Sequence, residues 1–223
     1  MATTLQEFYE GLEKARQAGD IQAYEQYINE QMSLNRMCCG RISDIDIAGN
    51  NELGLLYMAM KKMPEAINYL ETALNLTRRA AGENTIEYAS ALRNLADAKH
   101  KSGDTKDALA KIKVAIDILK SLGAENTDFY GFSLSDAAMY SFALGDVESS
   151  CAYSLMSAET AEKIGKSPVD CAVAFGNLGM VCLRAGKKND AKNALERAIA
   201  YADQVPEAKN HFAPLYQALE SLQ

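Results

Sequence analysis

Residues 53–74 read LGLLYMAMKKMPEAINYLETAL. Apolar residues recur there at helical spacing, yet Gly54, Ala66 and Ala73 stand on faces that otherwise carry Leu and Tyr. A helix stabilised by its own bulk would not place them there. Small side chains at such points let two antiparallel helices approach closely, while Leu53, Tyr57 and Leu70 fill the space around the crossing.

The same spacing recurs along the chain. Gly54 aligns with Ala96, Ala138 and Gly179, at steps of 42, 42 and 41. Twelve residues later in each copy comes a second small residue (Ala66, Ala108, Ser150, Ala191), and seven beyond that a third (Ala73, Ala115, Ser157, Ala198). Between the first and second small residues lies a turn signal: KKMP at 61–64, SGD at 102–104, LGD at 144–146 and AGK at 185–187. In three of the four a glycine supplies the left-handed residue that ends the first helix. A second punctuation separates the copies, Gly40, Gly82, Gly123 and Gly165, each followed by a cap: Ser43, Thr85, Asn126 or Thr127, and Ser167 ahead of Pro168. Counting back from Gly54 gives a degenerate first copy with Leu12, Tyr24 and Gln31 at the three sites and GD at 19–20 as its turn. After the last pair, Leu215, Leu219 and Leu222 give one apolar face to a helix starting near His211 with Pro214 in its first turn.

These spacings predict an all-α chain of eleven helices: five pairs at about 5–39, 44–81, 85–122, 127–164 and 168–204, and a capping helix at about 211–222. No single copy can bury its apolar face alone, so one stacked array over 1–223 is expected.

Composition agrees and narrows the function. Of 223 residues 48% are hydrophobic and only four are proline, an inventory that forms helices and a continuous core. The balance of 30 acidic against 23 basic side chains leaves a net charge of −7, and no Lys/Arg run exceeds two, so nucleic acid is disfavoured as a partner. No uncharged stretch reaches the ~20 residues of a membrane span, and the N-terminus lacks an apolar signal-peptide core. A soluble, cytoplasmic chain with no cofactor is expected. Five cysteines fit reduced thiols. Cys171 and Cys182 lie on one helical face ~16 Å apart, too far to share a metal, and read as core filler. Adjacent Cys38 and Cys39 have no histidine near them in sequence and would strain a disulfide between them.

The stretches LGLLYMAMKKMPEAINYLETAL, LADAKHKSGDTKDALAKIKVAI and LGMVCLRAGKKNDAKNALERAI resemble tetratricopeptide repeats, whose pattern is Leu-Gly-x-x-Tyr, a turn, Ala, an aromatic or Leu, and Ala. The period of about 42 is similar to the long-helix variety of kinesin light chains and of many bacterial regulators. The resemblance covers residues 5–204; copy four departs from it at Ser150, Ser154 and Ser157. It implies a right-handed superhelical α-solenoid whose first helices line a concave groove that holds a peptide or protein segment.

In copy three the stripe offset from the packing face is Ser90, Arg93, Asn94, Asp97, His100 and Lys101, a polar groove lining. One period on, the equivalents are Phe132, Ser135, Asp136, Met139, Phe142 and Ala143, then Val173, Gly176, Asn177, Met180, Leu183 and Arg184, so the lining turns apolar. Copy two contributes Asn51, Glu52, Leu55 and Met58. In kinesin-light-chain-like repeats an asparagine on this face bonds the bound peptide's backbone; Asn94 and Asn177 match it, while Glu52 and Asp136 depart. Phe132, Met139 and Phe142 also suit contacts with neighbouring helices, and Arg93 and Lys101 a solvated face.

The reading is a non-catalytic scaffold or adaptor for a protein segment. Two alternatives remain: a peptide-responsive regulator, and self-association through the serine-rich second helix of copy four or through the cap. An enzyme is disfavoured, since the chain has two histidines, His100 and His211, and no nucleophile elbow, phosphate loop or metal-spaced cluster.

Overall fold

In the computed structural model, which describes residues 3–39 and 43–222, the caps expected at the starts of copies two to five are in place. Ser43 and Asp46 form a reciprocal capping box, and Thr85, Thr127 and Ser167 accept the N–H three residues on, each at 3.2 Å. Thr127, not Asn126, is the cap of its helix. Gly40 lies outside the described residues.

Among the described residues there are eleven α-helices and no strand. They run α1 Leu5–Gln17, α2 Ile21–Cys39, α3 Asp44–Ala59, α4 Met63–Ala81, α5 Ile86–Lys101, α6 Thr105–Ser121, α7 Asp128–Ala143, α8 Val147–Lys163, α9 Pro168–Arg184, α10 Lys188–Ala202 and α11 Ala213–Glu220. A 3₁₀ segment, Pro206–Phe212, takes up the expected start of the cap, so the α-helix begins at Ala213 with Pro214 in its first turn.

Four turns inside the pairs close identically. The N–H groups of Lys62, Asp104, Asp146 and Lys187 each bond the carbonyl five residues back, on Tyr57, Lys99, Ser141 and Cys182, at 2.9 Å. The residue before each donor is left-handed: Gly103, Gly145 and Gly186 at φ 99°, 81° and 72°, and Lys61 at φ 60° where the others have glycine. A side chain in that region costs about 1–2 kcal/mol.

The chain divides into two compact units, 1–111 and 112–223, with the division inside α6. In the first unit, a Cβ built on Gly54 would lie 2.5 Å from Leu70 Cγ and 3.3 Å from the Ala66 carbonyl oxygen, so α3 and α4 meet where only hydrogen fits. Ala66 and Ala73 are buried beside this crossing. The first pair makes the same approach by a different residue. Leu12, in register with Gly54, is itself core, and the close contact moves to Gly11, whose Cβ would fall 1.9 Å from the Tyr27 hydroxyl. Phe8, Ile28, Ile45 and Leu53 join α1, α2 and α3 in one core, and Leu70, Leu95 and Ala98 join α4 to α5. Tyr57, half-buried, donates to Glu25 at 2.7 Å, which pushes its ionisation up to about 12.

In the second unit, Gly179 repeats the approach against Leu195, at 2.7 Å. The intervening pair solves it otherwise. Ala138 stands in place of glycine, and the residue sixteen on is Ser154 where Gly54 and Gly179 have Leu70 and Leu195. The serines that depart from the repeat pattern are turned inward: Ser150 Oγ donates to the Ala138 carbonyl at 2.8 Å and Ser157 Oγ to that of Gly131 at 3.0 Å. They bind α8 to α7 and do not form an outer face. Phe175, Leu178, Leu195 and Ala198 build the core of the last pair, and Leu215, Leu219 and Leu222 close over it as the cap. Glu162 of α8 accepts from Tyr201 at 2.7 Å and Arg197 at 2.6 Å on α10, which holds its carboxyl below the ordinary 4.5.

Three outcomes test this packing by thermal and urea denaturation. Gly54→Ala is expected to destabilise by about 1–3 kcal/mol; in a Leu70→Ala background the penalty is expected to shrink, because the Leu70 clash is gone and only the 3.3 Å contact with the Ala66 carbonyl remains against the helix preference of alanine. Lys61→Gly is expected to stabilise by about 0.5–1 kcal/mol, the relief of strain being offset by the freer unfolded chain. Glu162→Gln is expected to lower stability at pH 7. A depressed folded value means that the Glu162 contribution is complete above pH 4.5 and is lost as pH falls through the lowered value, so the wild-type advantage shrinks to nothing in acid.

Candidate interaction surfaces

The first helix of each pair presents the residues that the sequence assigns to the groove. In the first unit α3 and α5 bring several of them together. Asn94 Nδ2 donates to Asn51 Oδ1 at 2.8 Å, joining successive pairs. Lys101 Nζ lies 2.8 Å from Asp97 Oδ2 and 3.8 Å from Met58 Sδ, so Asp97, Lys101 and Met58 share that face. The Asn51 bond uses one of the two Nδ2 hydrogens of Asn94 within the chain. His100 is turned toward the next helix start, with Nδ1 3.0 Å from Thr105 Oγ1, and Arg93 is half-buried on α5. Glu52 looks the other way, accepting from Tyr24 of α2 at 2.9 Å.

In the second unit the surface is aromatic and apolar. Phe132, Met139 and Val173 are 51%, 46% and 42% exposed on α7 and α9. Phe132 has the Lys166 ammonium 5.6 Å from its ring centre, and Lys166 is ion-paired with Asp128. Phe142 lies beneath the Arg184 guanidinium, 5.1 Å from the ring centre, a contact that joins α7 to α9. Asn177 is exposed and lines, with Phe132, Val173 and Lys166, a cleft of about 180 Å³. Met180 is half-buried on α9. Gly176, assigned to the groove by register, instead receives the cap: its Cβ would fall 2.9 Å from Leu215 Cδ2.

Two features escaped the sequence reading. One is an open cleft of about 640 Å³ in the first unit, walled by α1, α3, α4 and α5. Its only sequence signal was Leu5, Tyr9 and Ile86, exposed apolar residues near helix starts. The other is a thiol pair. Cys171 and Cys182 are buried as expected of core filler, but Cys182 Sγ lies 3.8 Å from Cys151 Sγ, and burial pushes the Cys182 thiol up to about 12, against thiolate reactivity. Cys38 is exposed; the Cys39 side chain lies outside the described residues. No helix among the described residues is long and apolar enough to cross a membrane.

Residues 46–121 and residues 172–204 match two family models, both described as tetratricopeptide repeat. Over 124 residues, 52% of the chain, the sequence is 30% identical to a clustered mitochondria protein homolog of Aspergillus niger, and the chain spans 10% of that relative's length. Among solved structures, BtubC (BKLC) from P. vanneervenii aligns with a TM-score of 0.81 at 18% identity, over 91% of this chain and 81% of that one. A Podosopora anserina putative kinesin light chain with nearly identical TPR-like repeats aligns at 0.74 and 17% identity, over 92% of this chain and 96% of the other. Residues 46–121 and 172–204 are thus tetratricopeptide repeats, and the helix-pair fold of the solved structures extends over 91% of the chain.

Proposed function

We propose that this chain is a non-catalytic protein-interaction module that receives an extended segment of another protein on the faces of its first helices. The observation that carries the reading is the second unit's surface, where Phe132 and Val173 stand about half exposed in one cleft with the amide of Asn177, and Met139, about half exposed, lies two turns along α7 from Phe132. Large apolar side chains grouped on one face, rimmed by polar groups, mark a surface used by a partner. The amide supplies the directional hydrogen bond that an extended backbone needs, and Arg184, held over Phe142, supplies a cation for a carboxylate on the ligand. In the first unit, the Asn51, Asn94, Asp97 and Lys101 face offers hydrogen-bonding groups of the same kind. Short extended ligands lose entropy on ordering, so affinities of about micromolar are expected.

The test is a selection of random displayed peptides on the full chain. Peptides so obtained are expected to lose at least about tenfold in affinity to Phe132→Ser/Asn177→Ala or to Asn94→Ala/Asn177→Ala, with little change in melting temperature for the first variant because its residues are exposed. Selected peptides whose affinity ignores both variants would overturn the reading.

A further inference from the structure

The cleft of about 640 Å³ in the first unit has the size of a ligand site and a chemistry of its own. Its floor is made of small groups. Ala48, Ala73 and Ala91 line it, and so does Thr77, whose hydroxyl is committed to the Ala73 carbonyl at 2.9 Å. That commitment leaves the Thr77 methyl as the face available to an occupant. The walls are Leu5 and Tyr9 of α1 and Ile86 of α5, 40%, 46% and 52% exposed, an apolar lining open to solvent.

The rim is acidic. Asp44 and Glu87 line the cleft from the first turns of α3 and α5, and among the described residues neither is ion-paired. A helix N-terminus carries about half a positive charge, so each full carboxylate leaves its side of the rim net negative. The nearest basic residues of α4 do not cancel this: neither Arg78 nor Arg79 lines the cleft, and Arg78 is turned to Glu83 at 3.9 Å. A hydrophobic hollow bounded on two helices by carboxylates fits a bulky apolar side chain flanked by cations, and repels one flanked by carboxylates.

We infer that this cleft is a docking subsite for a protein segment in which a large apolar residue is bracketed by lysine or arginine. The inference rests on the reading that the first helices receive a protein segment, since Asn51 belongs both to the cleft and to the Asn94 contact, and it adds the chemistry that selects the segment. The second unit's surface differs in having mixed charges: Lys166 and Arg184 stand beside the aromatic rings, while Asp128 and Asp170 line the same cleft as Lys166.

Three fluorescein-labelled peptides titrated onto the full chain by polarisation test it: SGKKWLKGS, its acidic counterpart SGEEWLEGS, and SGKKSSKGS, which lacks the apolar anchor. The first is expected to bind at least about tenfold tighter than either other at 0.15 M salt. Asp44→Asn/Glu87→Gln should erase its advantage over the acidic peptide, and Leu5→Ser/Ile86→Ser, at exposed positions, should weaken it about tenfold. Equal or tighter binding of the acidic peptide, a preference that survives Asp44→Asn/Glu87→Gln, or binding of SGKKSSKGS as tight as that of SGKKWLKGS would overturn the inference. If displayed peptides bind and respond to Asn177 while SGKKWLKGS does not bind, the subsite falls and the broader reading stands. If nothing selected responds to Asn94 or Asn177, it is the broader reading that falls.

Discussion

The close approach of paired helices is the constraint on which the rest depends. At Gly54 and Gly179 a leucine of the partner helix occupies the volume that a Cβ would need. Once that contact is made, the depth of each pair is fixed, and so is the direction in which its remaining residues face. The three solutions seen are physically distinct. Glycine against leucine is used in α3–α4 and α9–α10, glycine against tyrosine in α1–α2, and a serine hydroxyl on a backbone carbonyl in α7–α8. The last trades dispersion contacts for a buried hydrogen bond, worth about 1 kcal/mol net, and keeps the buried hydroxyl satisfied.

Rigid pairs free their outer positions for recognition. Because the turn geometry and the crossing are satisfied by backbone bonds and small residues, side chains such as Phe132, Met139, Leu5 and Ile86 carry no evident burden in the core and remain exposed. The two units spend that freedom differently. One sets aromatic rings beside Lys166 and Arg184, with Asp128 and Asp170 lining the same cleft as Lys166; the other sets an apolar hollow beside Asp44 and Glu87.

Where sequence reasoning and structure part, the cause is a neighbour that spacing does not reveal. Counting back by the period placed Leu12 at the first crossing, yet the contact is made by Gly11, because Tyr27 is larger than the leucine used elsewhere and needs a position without a side chain. Gly176 was assigned to the groove, but the cap helix brings Leu215 onto it. Ser150 and Ser157 looked like departures from the pattern and turn out to be its equivalent in hydrogen-bond form. Cys151 and Cys182 come from different copies, and nothing in their separation of 31 residues announces sulfur atoms in contact.

The sequence by itself determined the helices, the caps between copies, the turns, the pairing through small residues, and the placement of Asn51, Asn94, Phe142 and Arg184 on first helices. All of these follow from local backbone preference and from a period that repeats with the chain. Tertiary structure alone decided which apolar residues stay exposed, where the cap lands and that a large cleft opens in the first unit. That cleft is walled by residues near positions 5, 47, 77 and 86 on four helices, and a hollow is set by the distances between side chains that do not touch, which no periodicity in a single chain encodes.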